Sequence, residues 1–184
     1  MNDSEAFRRA SDGFMKRLNG ISPSQWSAAT PCSEWDVRAL VNHVGGEWLW
    51  VTELMSGKTI ADVGDRLDGD VLGDDPVQRV SGAQNAACAA FEQPDASART
   101  VQLSFGETPA MDYARQMAVD GVIHSWDLAR AIGADEALDP ELVDYAYAEM
   151  LQTAELWRSG GAFGPACAPD GESTQAKLLA LTGR

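Results

Sequence analysis

The stretch that decides the fold is residues 109–132, PAMDYARQMAVDGVIHSWDLARAI, which is followed by Gly133. Apolar residues recur in it every three or four positions, the period of one helical face. Proline suits the first position of a helix and glycine the position after its end, so this stretch predicts a helix ending at Ile132. Its inward stripe is Tyr113, Met117, Asp120, His124, Leu128 and Ala131. Ionisable groups therefore stand on this face where apolar ones are usual.

A second helix, predicted from Trp35 to Met55, also carries ionisable groups on a face where apolar residues are usual. Ser33 or Asp36 can cap its start. One of its faces carries Leu40, His43, Glu47, Trp50 and Leu54. Burying unpaired ionisable groups is costly, so inward carboxylates and imidazoles pair with each other, line a cavity or bind a metal. Both helices thus point to a polar site inside a helical protein.

The remaining segments also favour helices, which predicts a mostly α architecture. The first helix turns an apolar stripe inward and closes at Gly20; its stripe is Phe7, Ala10, Phe14 and Leu18. A third helix is predicted from Pro76 to about Gln93, and a fifth begins at Asp139-Pro140. The apolar finish after the Gly- and Pro-rich tail predicts a short extra helical turn at the C-terminus.

Two connecting segments are predicted to be non-helical. Residues 56–75 are rich in Gly and Asp, which predicts an exposed, mobile loop. Residues 99–109 alternate Val101, Leu103 and Phe105 with polar residues, the pattern of one short strand or extended arm, which alone does not make a sheet.

Length and composition limit the class of protein. The 184 residues fit one domain, 1–184, with 45% hydrophobic residues. A formal net charge of -14 and a pI near 4.3 disfavour nucleic acid and anionic membranes as partners. The sequence shows neither a secretory signal nor a transmembrane-length apolar run, so we expect a cytoplasmic protein. An acidic bundle with several tryptophans is also compatible with a homodimer.

The three cysteines are odd in number and widely spaced. They form neither a disulfide framework nor a CxxC pair. We therefore expect Cys32, Cys88 and Cys167 to be reduced thiols, and small buried apolar residues rather than nucleophiles.

The polar stripes contain the groups of a metal site. Asp120 and His124 are four residues apart and stack on one helical face, and His43 is the only other histidine. Three protein ligands leave one position for water or substrate, as in catalytic zinc sites. The set also suits iron or nickel. A hydrogen-bonded Asp–His pair with a satisfied core histidine is the alternative.

Two further acids accompany these groups. Glu47 is a candidate catalytic base, a further ligand, or a partner of a buried arginine such as Arg38 or Arg130. Asp127 is interpreted as a residue behind the ligands or a surface partner of a cation, rather than as a ligand.

The segments TPCSEWDVRALVNHVGGE (30–47), DGVIHSWDLARAIG (120–133), FGPA (163–166) and LLALTGR (178–184) resemble the mycothiol-dependent maleylpyruvate isomerase N-terminal family, of the DinB-like metal-binding four-helix superfamily. The resemblance extends from the first helix to the C-terminal LTGR. It implies an up-down four-helix bundle and a divalent metal, usually zinc, held by His43, Asp120 and His124. It also implies actinobacterial mycothiol chemistry.

This chain departs from the family's isomerase in two respects. The isomerase has Glu at the position of Asp120, which leaves the metal's identity and geometry open. It also carries a further C-terminal domain that contributes to catalysis, so we do not expect maleylpyruvate isomerisation itself from this chain.

Three functions follow as hypotheses. The first is a metal-dependent enzyme that uses a low-molecular-weight thiol such as mycothiol on an electrophilic substrate, as an isomerase or S-transferase, with Glu47 moving a proton and Trp48 or Trp50 walling the pocket. The second is metal-assisted hydrolysis. The third is a non-enzymatic binding or regulatory module whose metal site is structural.

Overall fold

The long helices of this protein form the bundle that the sequence predicts. The computed structural model describes all 184 residues. Its helices are α1 (Asp3–Leu18), α2 (Val37–Met55), α3 (Ile60–Val63), α4 (Pro76–Phe91), α5 (Ala110–Ile132), α6 (Pro140–Ser159) and α7 (Thr174–Leu181). Its strands are β1 (Thr100–Leu103) and β2 (Gly106–Pro109). The prediction of an all-α fold with a short extended segment and a C-terminal helical turn is confirmed.

Helix packing places α5 at the centre of the molecule. It lies along α1 and also contacts α2 and α6, while α2 lies along α4. Gly121 of α5 permits the close approach to α1, because a Cβ there would lie 3.4 Å from the Cβ of Ala10. The buried apolar residues of all these helices form one continuous core. Since α5 has neighbours on several sides, its polar residues His124, Ser125 and Asp127 are also buried.

Local signals place the helix ends within about two residues of the predicted ones. The Asp36 carboxylate accepts a hydrogen bond from the Ala39 N–H at the start of α2, so this helix begins at Val37 rather than at Trp35. Gly133 ends α5 in the left-handed conformation, with φ +67°. None of the helices is long and apolar enough to cross a lipid bilayer.

The prediction of one exposed loop over residues 56–75 is wrong in part. Ile60–Val63 form the helical turn α3, with Thr59 as its cap. Val63 and Leu72 are buried, and Leu72 belongs to the core. These apolar side chains fix the segment against the bundle although the residues around them are Gly and Asp.

The short strand or extended arm predicted over residues 99–109 is extended as expected, but it contains two strands rather than one. β1 and β2 pair antiparallel, with Leu103 opposite Gly106, so the chain reverses at Ser104 and Phe105. Phe105, predicted to share a face with Val101, is 66% exposed in this turn. A two-residue turn with Gly106 at φ +127° therefore replaces the expected continuous alternation.

The cysteines are all free thiols, but only one is buried. Cys88 lies in the core, Cys32 is half-buried and Cys167 is exposed. The expectation of a buried apolar residue is therefore correct for Cys88 and wrong for the other two, because they lie on loops at the edge of the bundle.

Candidate metal centre

The three predicted ligands lie together, although they come from two helices. His43 is on α2, and Asp120 and His124 are one turn apart on α5. Asp120 Oδ1 lies 3.3 Å from His124 Nε2 and 3.7 Å from His43 Nε2. One ligand atom from each residue lies within 4.8 Å of the other two. The two polar stripes thus meet at one point.

These separations suit a single divalent ion. In a tetrahedral site, N and O ligands about 2.0–2.1 Å from zinc lie roughly 3.3 Å apart. Both contacts of Asp120 are close to that value. The side chains of His43 and Asp120 are 28% and 23% exposed, so this side of the group opens to a cavity. The geometry fits a three-ligand site with an open position.

Asp127 holds the His124 ring in the orientation that such a site needs. Asp127 Oδ2 lies 2.9 Å from His124 Nδ1, and its carboxylate is fully buried. When Nδ1–H donates to this carboxylate, the lone pair of Nε2 faces Asp120. The interpretation of Asp127 as a residue behind the ligands, rather than a ligand, agrees with this contact.

Arg184 completes this arrangement from the end of the chain. Its Nε and Nη2 donate to the two oxygens of Asp127 at 3.0 and 2.6 Å. Burial would raise the pKa of Asp127, but hydrogen bonds from His124 and Arg184 outweigh this effect and lower the pKa. Asp127 therefore stays ionised and orients His124.

The charges around His124 favour a cation at the centre. Burial alone would lower the pKa of His124, yet Asp120 and Asp127 outweigh it and raise the pKa well above its ordinary value. Burial likewise would raise the pKa of Asp120, but the two imidazoles hold it well below its usual range. A proton or a metal ion can supply the positive charge, and the two compete for Nε2.

A second cluster of ligand-type atoms overlaps the first but suits a metal less well. Cys32, His124 and Asp127 also lie within 4.8 Å of one another. Here Asp127 is already bonded to Arg184, whose Nη2 lies 3.4 Å from Cys32 Sγ. The guanidinium would repel a metal ion in this position, so the cluster with His43 and Asp120 is the better candidate.

Glu47 lies one turn after His43 on α2 and faces the same cavity. Burial, followed by the charge of Asp120, raises its pKa, and the two histidines oppose this shift. Neither proposed arginine pairs with it: Arg38 bonds Asp70 and Arg130 bonds Glu136. The arginine-partner interpretation of Glu47 is therefore wrong.

The open side of the centre faces a cavity of about 780 Å³. Trp35 packs over His43, with ring centroids 4.7 Å apart, and Trp157 and Phe163 contribute further aromatic walls. The expected wall residues are absent from it. Trp48 is buried in the core against Phe7 and Phe14, and Trp50 does not line the cavity.

Sequence reasoning missed Arg184 and Trp35 as parts of the site. Arg184 is separated from Asp127 by 57 positions, and nothing in its local pattern indicates a buried partner. Trp35 precedes the N-cap Asp36 and so belongs to no helical stripe. The sequence does contain one indication of such a contact. Asp127 lies on the inward side of its helix one turn after His124, and a buried aspartate requires a cation close to α5.

Fold and site together define a helical bundle with a candidate metal centre of two histidines and one aspartate. The chain belongs to the mycothiol maleylpyruvate isomerase N-terminal domain family, whose model matches residues 7–129. That range includes His43, Asp120, His124 and Asp127, and it ends before Arg184.

The chain is also similar to two curated proteins and to two solved structures. Uncharacterized proteins from two strains of Mycobacterium tuberculosis are each 33% identical in an alignment of 144 residues that covers 74% of this chain and 71% of theirs. The crystal structure of the mycothiol-dependent maleylpyruvate isomerase matches with a TM-score of 0.64 at 16% identity, covering 89% of this chain and 73% of the isomerase. A histidine-to-alanine mutant of that isomerase matches with a TM-score of 0.65 at 15% identity and the same coverage. At these identities the likeness establishes the fold.

Proposed function

We propose that this protein is a metal-dependent enzyme that joins a low-molecular-weight thiol, mycothiol, to an electrophilic substrate, as an S-transferase or isomerase. The observation that carries the proposal is the convergence of His43, Asp120 and His124 at one wall of a large cavity. Family membership supports mycothiol as the thiol. Zinc is the metal we propose, because two imidazoles and one carboxylate with an open position suit it.

The chain's own residues supply the ligands and hold them in place. Asp120 sits between the two imidazoles, and Asp127 fixes the ring of His124. Trp35 covers the ring of His43 and limits water on that side. A divalent metal bound by these ligands would stabilise the thiolate of a coordinated thiol and so make it nucleophilic at neutral pH.

Glu47 is the residue that moves the proton in this proposal. It lies beside the ligands, and burial and the charge of Asp120 raise its pKa toward the range useful for acid–base catalysis. It accepts the thiol proton as the thiol enters and returns a proton to the substrate atom that gains electrons. Glu47 contacts the reacting groups only when the thiol and the substrate occupy the cavity.

The experiment is a comparison of metal content and turnover in one preparation. Protein purified without chelators is analysed for metal and assayed with electrophiles in the presence and absence of mycothiol. We expect about one zinc per chain, turnover only with the thiol, and loss of both metal and turnover in His124→Ala. Arg130→Ala, at an exposed position of the same helix and outside the cavity, is the matched control.

Other outcomes would overturn the proposal in distinct ways. Turnover without any thiol would indicate metal-assisted hydrolysis. A metal-loaded protein that binds neither thiol nor electrophile would indicate a structural centre in a binding module.

A further inference from the structure

The charged groups that line the cavity restrict which substrates can bind there. Four carboxylates line it: Glu34, Glu47, Asp120 and Glu149. Apart from the two histidines, Arg184 is the only cationic side chain among the lining residues. Any ligand that enters therefore meets mainly negative groups.

Arg184 is not available to bind a substrate carboxylate. Its Nε and Nη2 donate to Asp127, and its Nη1 donates to the carbonyl of Thr182 at 2.8 Å. Its side chain is 9% exposed. A substrate carboxylate would have to displace Asp127, which is itself buried and bonded to His124. The positive charge of Arg184 is thus neutralised before a substrate arrives.

Arg115, which reaches one of the cavity carboxylates, is also occupied. Arg115 lies 3.0 Å from Asp112, 3.3 Å from Asp3 and 3.9 Å from Glu149, and it does not line the cavity. It reduces the charge of Glu149 only partly, because it is shared among three carboxylates. With a divalent ion at the centre and a proton on Glu47, the charges of the lining groups cancel, but Arg184 is already paired with Asp127, so the ion carries the only positive charge left for a substrate.

The apolar part of the lining favours aromatic and aliphatic groups. Trp35, Trp157 and Phe163 face the space together with Met117, and the buried Met150 lies behind them. Such side chains bind uncharged rings by burial and stacking.

From these contacts we infer that the electrophile used at this site is uncharged and aromatic, without a carboxylate group. The inference rests on the proposed function for the presence of an electrophile, but it concerns the cavity of this chain. A dicarboxylate such as maleylpyruvate would be repelled by Glu149 and Glu34 and would find no free cation except the metal.

A pair of unreactive ligands of equal shape tests the inference without turnover. Binding of 4-nitrobenzamide and of 4-nitrobenzoate to the zinc-loaded protein is measured by calorimetry. We expect the amide to bind at least tenfold more tightly. Equal or tighter binding of the benzoate, or no binding of either compound, would overturn the inference.

Charge-changing variants test whether the preference for the amide over the benzoate arises from the cavity carboxylates. Glu149→Lys should reduce the difference between the ligands to less than threefold, and Glu34→Lys, in the exposed loop, repeats the test if the first variant fails to fold. Asp144→Lys makes the same change on the outer face of α6 and should keep the full preference. An unchanged ratio in the cavity variants would overturn the inference. A preference for the amide combined with no thiol-dependent turnover would refute the proposed function and leave standing only the cavity's selectivity for uncharged aromatic ligands.

Discussion

The guanidinium of Arg184 bonds both carboxylate oxygens of Asp127, with Nη2 2.6 Å from Oδ2, and so connects the last residue of the chain to the candidate metal centre. Asp127 in turn contacts Nδ1 of His124. The C-terminal segment thereby sets the orientation of a proposed ligand on α5 without touching the metal position itself.

Removing this cation should weaken both folding and metal binding. Arg184→Ala leaves the buried Asp127 charge without one of its two charged partners, which costs about 3 kcal/mol in the free energy of unfolding. Without Arg184, Asp127 is no longer held in place against His124. Zinc affinity should therefore fall by about 10–100-fold. Urea unfolding and chelator competition measure the two effects.

Arg184→Lys is the control for charge alone. It keeps the positive charge but cannot bond both oxygens of Asp127 as a planar fork, so an intermediate loss is expected. Wild-type stability and zinc affinity in Arg184→Ala would show that the contact is not important for the centre.

Glu47→Gln separates catalysis from metal binding. The variant should keep its zinc, because Glu47 is not one of the three ligands, while thiol-dependent turnover falls by about 10²–10⁴-fold. The pH–rate profile should lose the limb that belongs to this carboxyl group. Loss of the metal in this variant would instead identify Glu47 as a ligand.

Folding stability should depend on pH through Asp139, the cap of α6. Burial would raise the pKa of Asp139, but its hydrogen bond with Arg9 outweighs burial and lowers the pKa in the folded state. The unfolded chain therefore binds a proton more readily than the folded one. The stabilisation is fully present above the unfolded value of 3.8 and is lost as pH falls through the lower, folded pKa.

Asp139→Asn tests this dependence because asparagine can still cap the helix. The unfolding free energy of the variant should fall less steeply than that of the wild type as pH is lowered below about 5. Parallel pH curves would contradict the assignment.

Gly45 on α2 should be required for close packing against α4. A Cβ there would lie 3.0 Å from Val80 Cγ2, so Gly45→Ala should destabilise the protein by about 1–3 kcal/mol despite alanine's better helix propensity. Gly82→Ala is the control, since no atom lies within 4 Å of a Cβ at that exposed position of α4. It should stabilise the protein by about 0.5–1 kcal/mol, and equal effects of the two substitutions would contradict the packing argument.

The sequence predicts most of the fold because helix periods and caps are local. Asp36 and Gly133 mark helix ends in their immediate surroundings, and the stripes that contain His43 and His124 follow the helical period. Because each of the two inward stripes contains polar groups, we expect those groups to lie close together in the folded protein. The structure places His43, Asp120 and His124 close together.

The parts that escaped prediction depend on contacts between distant segments. The turn at Phe105 reverses an apparently continuous strand, and Leu72 reaches the core from a Gly- and Asp-rich segment. Arg184 gives no local signal of its pairing with Asp127, and Trp35 lies outside any periodic stripe. Such contacts become visible only when the chain is folded.

The central claim concerns the metal, and anomalous diffraction from crystals of the zinc-loaded protein tests it most directly. We predict one anomalous peak per chain, about 2.0–2.2 Å from ligand atoms of His43, Asp120 and His124 and open to the cavity. A peak on Cys32 and Asp127, or no peak at these residues in protein that contains zinc, would contradict the claim.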